Sequence, residues 1–137
     1  MTAKSNTEKK TEKKVVRKSK SRHFPIGIVH VQATFNNTIV TVTDMAGHVV
    51  AWASAGKSGF KHSKKSSAYA GNIAAQNATK DAMALGMKEV KLKLTGPGAG
   101  RESAVRGVQS TGMIITEIED VTPVAHNGCR PRKRRRC

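Results

Sequence analysis

The segment from residue 96 to residue 106 combines a glycine-rich turn with two arginines, a combination suited to binding an anion. Gly96, Gly98 and Gly100 lie within five positions, so the backbone can turn sharply and approach a partner closely. A helix that begins after them would direct its free N–H groups and its positive dipole end at that partner. Arg101 and Arg106 add formal positive charge. The segment therefore predicts a strand, a loop and a helix N-terminus that together hold an anion.

A second cationic segment lies between residues 55 and 67, where glycine, serine and lysine predominate. No acidic residue lies near its lysines in sequence, which favours phosphate binding over internal ion pairs. The lysines are Lys57, Lys61, Lys64 and Lys65. Phe60 and Tyr69 flank them, and these rings either stack on a nucleic-acid base or fix the loop to the core. The sequence leaves both alternatives open.

The net charge of +16 is concentrated at the two ends of the chain. Residues 1–23 contain nine basic and two acidic residues, residues 129–137 contain six basic residues, and the 105 residues between them contain ten basic and seven acidic ones. Such blocks of like charge repel themselves and stay unfolded until a partner neutralises them. We therefore expect a disordered basic N-terminal arm at 1–23, a globular α/β domain at 24–122 and a basic C-terminal extension at 123–137. The partner must be a polyanion, and nucleic acid is the first candidate.

The sequence gives little support for a membrane, a metal or a cofactor. No stretch reaches the roughly 18 apolar residues of a membrane span, and the first 23 residues lack the apolar run of a signal peptide. The two cysteines, Cys129 and Cys137, suit a reducing cytoplasm. With His126 they offer three zinc ligands, whereas a structural site needs four. We expect a cytoplasmic protein without a metal or cofactor.

The motifs of nucleotide-dependent enzymes are incomplete in this chain. Arg101 stands where a dinucleotide-binding turn that begins at Gly96 requires its third glycine. The tripeptide at 56–58 matches the end of a phosphate-binding loop, but Ala51 occupies the position of that loop's first glycine. The carboxylates show no spacing typical of a metal-dependent nuclease. We expect no enzymatic activity, and a nuclease of the same fold class is the alternative that a magnesium-dependent cleavage assay tests.

Hydrophobic periodicity predicts the elements that must position the two cationic loops. Val29, Val31, Ala33 and Phe35 alternate on one face of a first strand, and Asn36-Asn37 predicts a turn because asparagine tolerates a left-handed conformation. Three strands joined by short turns make an antiparallel meander, and two helical crossovers then add two parallel strands. The expected order is β-β-β-α-β-α-β in one mixed sheet. The predicted strands are 26–35, 38–43, 48–54, 89–95 and 113–121. The predicted helices run from a serine cap at 66 or 67 to 85, with Gly86 as the stop, and from the glycine loop at 96–100 to 112. One face of the first helix is nearly all small, so we expect that helix to lie close against the sheet; the residues of this face are Gly71, Ala74, Ala75, Ala78, Ala82 and Leu85.

Four segments resemble the family of the universal small-subunit ribosomal protein eleven in its bacterial form. They are 29–44, 52–56, 96–106 (Gly-Pro-Gly-Ala-Gly-Arg-Glu-Ser-Ala-Val-Arg) and 122–136, and the resemblance covers 27–136. It implies a ribonuclease-H-like α/β sheet without catalysis, in which 24–122 is an rRNA-binding domain. It also implies a structural constituent of the small ribosomal subunit that bridges rRNA helices on the platform. The same resemblance implies a share in the Shine–Dalgarno and messenger exit cleft.

The resemblance also implies partners and RNA-facing residues. The implied partners are small-subunit rRNA, the messenger near its exit site, ribosomal proteins seven, eighteen and twenty-one, and initiation factor three, with no homo-oligomer. Ala125 and Arg132 stand where the family pattern has proline, which loosens the expected path of the tail. Besides the nuclease, the second alternative to this ribosomal function is a nucleic-acid-binding module that works outside the ribosome. The expected rRNA-binding residues are Asn36, Asn37, Lys57, Lys61, Lys64, Lys65, Gly98, Gly100, Arg101, Arg106, Asn127, Arg130, Arg132, Lys133, Arg134, Arg135 and Arg136.

Overall fold

The computed structural model describes residues 23–136, so the predicted N-terminal arm, apart from His23, lies outside the described residues. Within that range the chain forms five strands, two α-helices and one short 3-10 helix. In chain order they are β1 Ile26–Ala33, β2 Thr38–Asp44, β3 Val49–Ser54, the 3-10 helix His62–Ser66, α1 Ala68–Ala84, β4 Glu89–Thr95, α2 Gly100–Ser110 and β5 Ile114–Asp120. The predicted order of elements is confirmed, and β4 has the predicted bounds.

The five strands form one mixed sheet in the order β3-β2-β1-β4-β5. β1 pairs antiparallel with β2 and parallel with β4, while β3 extends the meander and β5 extends the parallel part. The meander followed by two helical crossovers is therefore confirmed. β1 is the central strand, and its carboxyl end lies at the same end of the sheet as those of β4 and β5.

The hydrophobic core lies between one face of the sheet and the two α-helices. Val29, Val40 and Leu92 are fully buried on the strands, and Val31, Val42 and Val90 are buried beside them. α1 meets them with alanines that are 0% exposed, at positions 74, 75, 78 and 82. The predicted face of small residues on α1 is thus confirmed at these positions, and it allows the helix to lie close to the sheet.

Two residues predicted to face the core are exposed instead. Phe35 is 58% exposed, because β1 ends at Ala33 and the chain then turns away from the sheet. Leu85, predicted as the last residue of the buried face of α1, is 42% exposed at the C-cap. The next residue, Gly86, ends the helix with φ +89°, as predicted for a glycine stop. Both errors fall at the end of an element, where the alternation or helical period no longer applies.

The two α-helices approach each other so closely that glycine is required on both. A Cβ atom on Gly71 of α1 would lie 2.9 Å from the Cα atom of Gly100 in α2. A Cβ atom on Gly107 would lie 2.6 Å from the backbone carbonyl oxygen of Asn72. Backbone atoms cannot move aside as a flexible side chain can, so the distance between the helices depends on these glycines.

We predict that Gly107→Ala destabilises the domain. Alanine would gain about 1 kcal/mol of helix propensity, but overpacking against a backbone carbonyl costs about 1–3 kcal/mol. Because the contact is with a backbone atom at 2.6 Å, the cost lies in the upper part of that range, and the expected net loss is about 1–2 kcal/mol, measured by urea unfolding. Gly56→Ala is the matched control, because the nearest atom to its Cβ would be 3.6 Å away. An unchanged unfolding midpoint in Gly107→Ala would show that the two helices can separate without cost.

Candidate nucleic-acid interface

One end of the sheet gathers nearly all of the cationic and glycine-rich segments. The loops at 34–37, 55–67 and 96–99 and the chain after β5 all emerge there, because β1, β3, β4 and β5 point the same way. Both α-helices also begin at this end, so their positive dipole ends face the same side of the molecule. We call this surface the loop end. The topology therefore brings together segments that are separated by up to a hundred residues.

The turn between β1 and β2 is organised by a threonine hydroxyl. Thr34 Oγ1 accepts hydrogen bonds from the N–H groups of Asn36 and Asn37 at 3.4 and 3.1 Å and donates to the Asn37 carbonyl at 3.0 Å. Neither asparagine has a positive φ, so the predicted left-handed conformation is wrong and the side-chain bonds of Thr34 replace it. Asn37 Oδ1 accepts the Thr38 N–H at 2.9 Å, which leaves exposed Asn36 as the outward-facing asparagine.

The loop at 55–67, which we call the lysine loop, presents Lys61 and Lys64 to solvent, and its Lys65 is half-buried. His62 opens the 3-10 helix with φ 55°, a left-handed conformation that histidine adopts more readily than most residues. Ser67 then caps α1, since its hydroxyl accepts the Ala70 N–H at 3.3 Å. The predicted serine cap is confirmed, and the N-terminus of α1 follows the lysines directly in the chain.

Lys57 is engaged by its own chain. Its Nζ atom lies 4.2 Å from the centroid of the Trp52 ring and donates a hydrogen bond to the Trp52 carbonyl at 3.0 Å. The ring is 49% exposed on the sheet face that the helices leave uncovered. The pair places a cation and an aromatic surface together beside the loop end, a combination that suits nucleic-acid bases. The spacing of the lysines did not reveal this contact.

Phe60 and Tyr69 contact each other edge to face, with ring centroids 5.7 Å apart and an interplanar angle of 79°. Phe60 is half-buried, whereas Tyr69 is 68% exposed. The sequence left open whether these rings fix the loop to the core or stack on a base, and the exposures of the two rings differ in the same way. Phe60 helps to fix the loop, and Tyr69 is available to a partner.

A surface depression of about 450 Å³ lies between the β1–β2 turn and the lysine loop. Its lining includes Asn36, His62 and Lys65. Phe35 forms one wall, and the guanidinium carbon of Arg135 lies 5.7 Å from the centroid of the Phe35 ring. The C-terminal tail therefore returns to the loop end. Phe35 and His62 were not among the predicted binding residues, and the exposed phenylalanine could have been identified only by knowing where β1 ends.

The glycine loop packs against the end of β1. The Gly98 N–H donates to the Ala33 carbonyl at 3.0 Å, and a Cβ atom on Gly98 would lie 2.5 Å from the Thr34 carbonyl oxygen. Gly100 is packed against the side chain of Thr38. Gly98 and Gly100 are both buried, so the close approach predicted for a partner is made to the chain itself. Their expected contact with RNA has no support in this packing.

Arg101, near the start of α2, forms an ion pair with the end of β5. Its Nη2 atom lies 2.6 Å from Oδ2 of Asp120 at the end of β5. The carboxylate also accepts hydrogen bonds from the hydroxyl and N–H of Thr122 at 2.6 and 3.0 Å. The two bonds from Thr122, followed by that from Arg101, lower the pKa of Asp120 to about 2. Arg101 is therefore partly neutralised, while Arg106 on α2 is exposed.

The tail from residue 121 to residue 136 forms no helix or strand and is exposed throughout. Asn127 adopts a left-handed conformation with φ 59°, which turns the chain before Gly128. The exposed basic residues of the tail are Arg130, Arg132, Lys133, Arg134, Arg135 and Arg136. The structure thus places Lys61, Lys64, Asn36, Asn127 and these residues on an accessible surface.

Three observations on residues 23–136 concern functions other than nucleic-acid binding: the surroundings of His30, the spacing of metal ligands and the character of the helices. His30 lies 3.2 Å from Thr43 Oγ1, and burial followed by the nearby charge of Lys93 lowers its pKa below the usual value. Among residues 23–136 no three histidine, cysteine, aspartate or glutamate side chains come close enough to hold a metal ion. In the same range no helix has the length and apolar character needed to cross a bilayer.

An α/β domain with a cationic loop end, an exposed basic tail and exposed aromatic side chains defines a nucleic-acid-binding protein. Comparison with known proteins makes this class more specific. The model of the ribosomal protein S11 family matches residues 27–136. The small ribosomal subunit protein uS11 of Chlamydia muridarum is 61% identical over 126 residues, which cover 92% of this chain and 96% of that protein. The protein of the same name from Protochlamydia amoebophila is 62% identical over 128 residues, covering 92% and 95%.

The chain belongs to the ribosomal protein S11 family, in its bacterial form. It is a structural ribosomal protein and not an enzyme. The resemblance inferred from the four segments is thereby confirmed, and the nuclease alternative is excluded.

We predict that Asp120→Asn lowers stability only above the pH at which the carboxylate titrates. The folded-state pKa of about 2 lies below the ordinary value, so the contribution of Asp120 is complete above about pH 5 and is lost as pH falls toward 2. Urea midpoints of the two proteins should therefore differ at neutral pH and converge between about pH 5 and pH 2. Glu119→Gln, which removes the adjacent carboxylate, is the control. A difference that does not change with pH would exclude the ion pair as its source.

Proposed function

The chain is a structural constituent of the small ribosomal subunit, and we propose that its loop end binds and bridges rRNA helices there. The observation that carries this proposal is the convergence of four segments at one end of the sheet. The β1–β2 turn presents the exposed side chain of Asn36, the lysine loop and the basic tail present cations, and the N-terminus of α1 begins beside the lysines. A surface supplied by several separate segments can contact more than one RNA helix at once. A single basic patch would contact only one.

Phosphate contacts supply most of the affinity in this proposal. Lys61, Lys64 and the tail arginines have no ion-pair partner among the described residues, so their charges are available to phosphates. Binding releases counterions from the RNA, and the affinity therefore falls steeply with salt. Tyr69 and Phe35 offer exposed rings on which unpaired bases can stack, a common mode of RNA recognition.

The finer functional assignments rest on the family. We propose that the domain at 24–122 lies on the platform of the small subunit and that the arms at 1–23 and 123–137 become ordered on RNA. In this proposal the protein helps to form the cleft for the Shine–Dalgarno duplex and the messenger exit region. Its neighbours are ribosomal proteins seven, eighteen and twenty-one and initiation factor three, and it acts in the cytoplasm without forming a homo-oligomer.

We predict that binding of the full chain to small-subunit rRNA is strongly dependent on salt. With about ten phosphates contacted, the slope of log K against log salt should be roughly −7 to −9. Filter binding over a series of KCl concentrations measures this slope. A slope near −2 would show that the tail and loops do not contact the RNA backbone.

The lysine loop can be tested against the opposite end of the molecule. Replacing Lys61 and Lys64 by alanine should reduce the magnitude of the slope by roughly 2, because two phosphate contacts are lost. Lys80 and Lys88 are matched controls, since both are exposed lysines but lie toward the other end of α1 and before β4. Equal effects of the two double variants would show that the charge acts without regard to position.

The basic tail has its own test. Deleting residues 129–137 should leave the domain folded, because the tail contributes no core residue in the described range. The truncated chain should co-sediment with small subunits at lower salt than the full chain does. Unchanged co-sedimentation would exclude the tail as a binding segment. Failure of the full chain to co-sediment at moderate salt would instead favour a nucleic-acid-binding module that works outside the ribosome.

A further inference from the structure

The chain is held by a group of hydrogen bonds at the point where it leaves the sheet. The N–H of Val121 donates to the Leu94 carbonyl at 2.9 Å, which continues the pairing of β4 with β5 by one residue. The hydroxyl of Thr122 donates to Asp120 Oδ1 at 2.6 Å and accepts the N–H of Gly96 at 3.2 Å. In the part of the chain that the structure describes, Thr122 is the last residue with a hydrogen bond to the rest of the domain.

Asp120 lies at the centre of this group. Its Oδ1 atom also accepts the N–H of Thr122 at 3.0 Å, and its Oδ2 atom lies 2.6 Å from Nη2 of Arg101. One carboxylate thus joins the end of β5 to the first turn of α2, while Thr122 joins the same point to the glycine loop through Gly96. We call Asp120, Thr122 and Arg101 the tail latch.

The tail latch lies at the base of the basic tail. Pro123 follows Thr122 and has no N–H group, so it cannot donate the next hydrogen bond to β4 and the chain departs from the sheet there. Arg130, the first arginine of the tail, is eight positions beyond Thr122, a span of at most about 26–29 Å when extended. Near its other end the tail returns to the domain, where Arg135 lies against the ring of Phe35. The cationic segment therefore lies between two points of attachment.

We propose that Asp120 is a positioning residue for the binding of RNA by the basic tail. The tail latch fixes where the tail begins and so restricts the region that its arginines can reach. Restricting a segment before it binds lowers the entropy that binding removes. The carboxylate therefore favours RNA binding, although a negative charge at an RNA-binding surface repels phosphates. The inference rests on the proposed function, because it concerns the tail as an RNA-binding segment.

The charge of Asp120 taken alone predicts the opposite effect. Loss of the carboxylate would then remove a repulsion and release Arg101 for a phosphate, so RNA would bind more tightly. If the carboxylate positions the tail, its loss weakens binding instead. Glu119 is the matched control, since it is the preceding exposed carboxylate on β5 and has no ion-pair partner among the described residues.

Filter binding of full-length variants to small-subunit rRNA distinguishes these two effects. We expect Asp120→Ala to weaken binding by about fivefold, and Glu119→Ala to leave it unchanged or to tighten it by about twofold. Thr122→Val removes a hydroxyl of the tail latch without changing the charge, and it should also weaken binding. Its control is Thr116→Val, which removes a hydroxyl of β5 that donates to the Val90 carbonyl and should leave binding unchanged.

A second set of full-length proteins tests whether the effect of Asp120 acts through the tail. In a neutral-tail variant, four basic residues are replaced by glutamine: Arg130, Arg132, Lys133 and Arg134. The tail latch then has little charge to position, so Asp120→Ala should change the affinity of this variant by less than about twofold. A general loss of folding would instead weaken binding to the same extent with either tail.

Two outcomes would overturn the proposal. One is equal weakening by Asp120→Ala in the natural and the neutral-tail chains. The other is binding by Asp120→Ala that is as tight as binding by Glu119→Ala, which would show that the carboxylate acts through its charge alone. A steep salt dependence of rRNA binding by the natural chain would show that the proposed function survives either outcome.

Discussion

The contact between the glycine loop and the end of β1 determines where the rest of the loop end lies. The hydrogen bond from Gly98 to Ala33 fixes the loop against the central strand, and the left-handed φ of +95° at Gly96 turns the chain into it. α2 therefore begins directly above Thr38, beside the β1–β2 turn. Side chains at these positions would push the helix away from the sheet. The two buried glycines, Gly98 and Gly100, thus have a packing role in positioning α2.

The order of elements was predictable because it depends on local patterns. Runs of β-branched residues, the serine cap of α1 and the glycine at its C-terminus each act within a few residues, and the structure follows them. The parallel arrangement of β1, β4 and β5 then followed from the helical crossovers. The basic character of the loop end could be predicted for the same reason, because its lysines lie within one short segment of the sequence and its tail arginines within another.

The remaining features depend on contacts between distant residues, which a single sequence does not reveal. Arg101 and Asp120 are nineteen positions apart and meet only because α2 begins where β5 ends. Phe35 continues the alternation of β1 in sequence, but the hydrogen bonds of Thr34 turn the chain before the ring can reach the core. Gly98 and Gly100 show the same limitation, because glycine permits close approach without specifying which surface approaches.

Trp52 gives the molecule an optical property that follows from its position. It is the single tryptophan of the chain, its ring is 49% exposed, and the ammonium group of Lys57 lies against it. Indole emission responds to nearby charge and to water, so its intensity and wavelength report on the surroundings of this one residue. The unmodified protein therefore carries its own fluorescent probe beside the lysine loop. Events at this part of the surface can be followed in real time without attaching a dye.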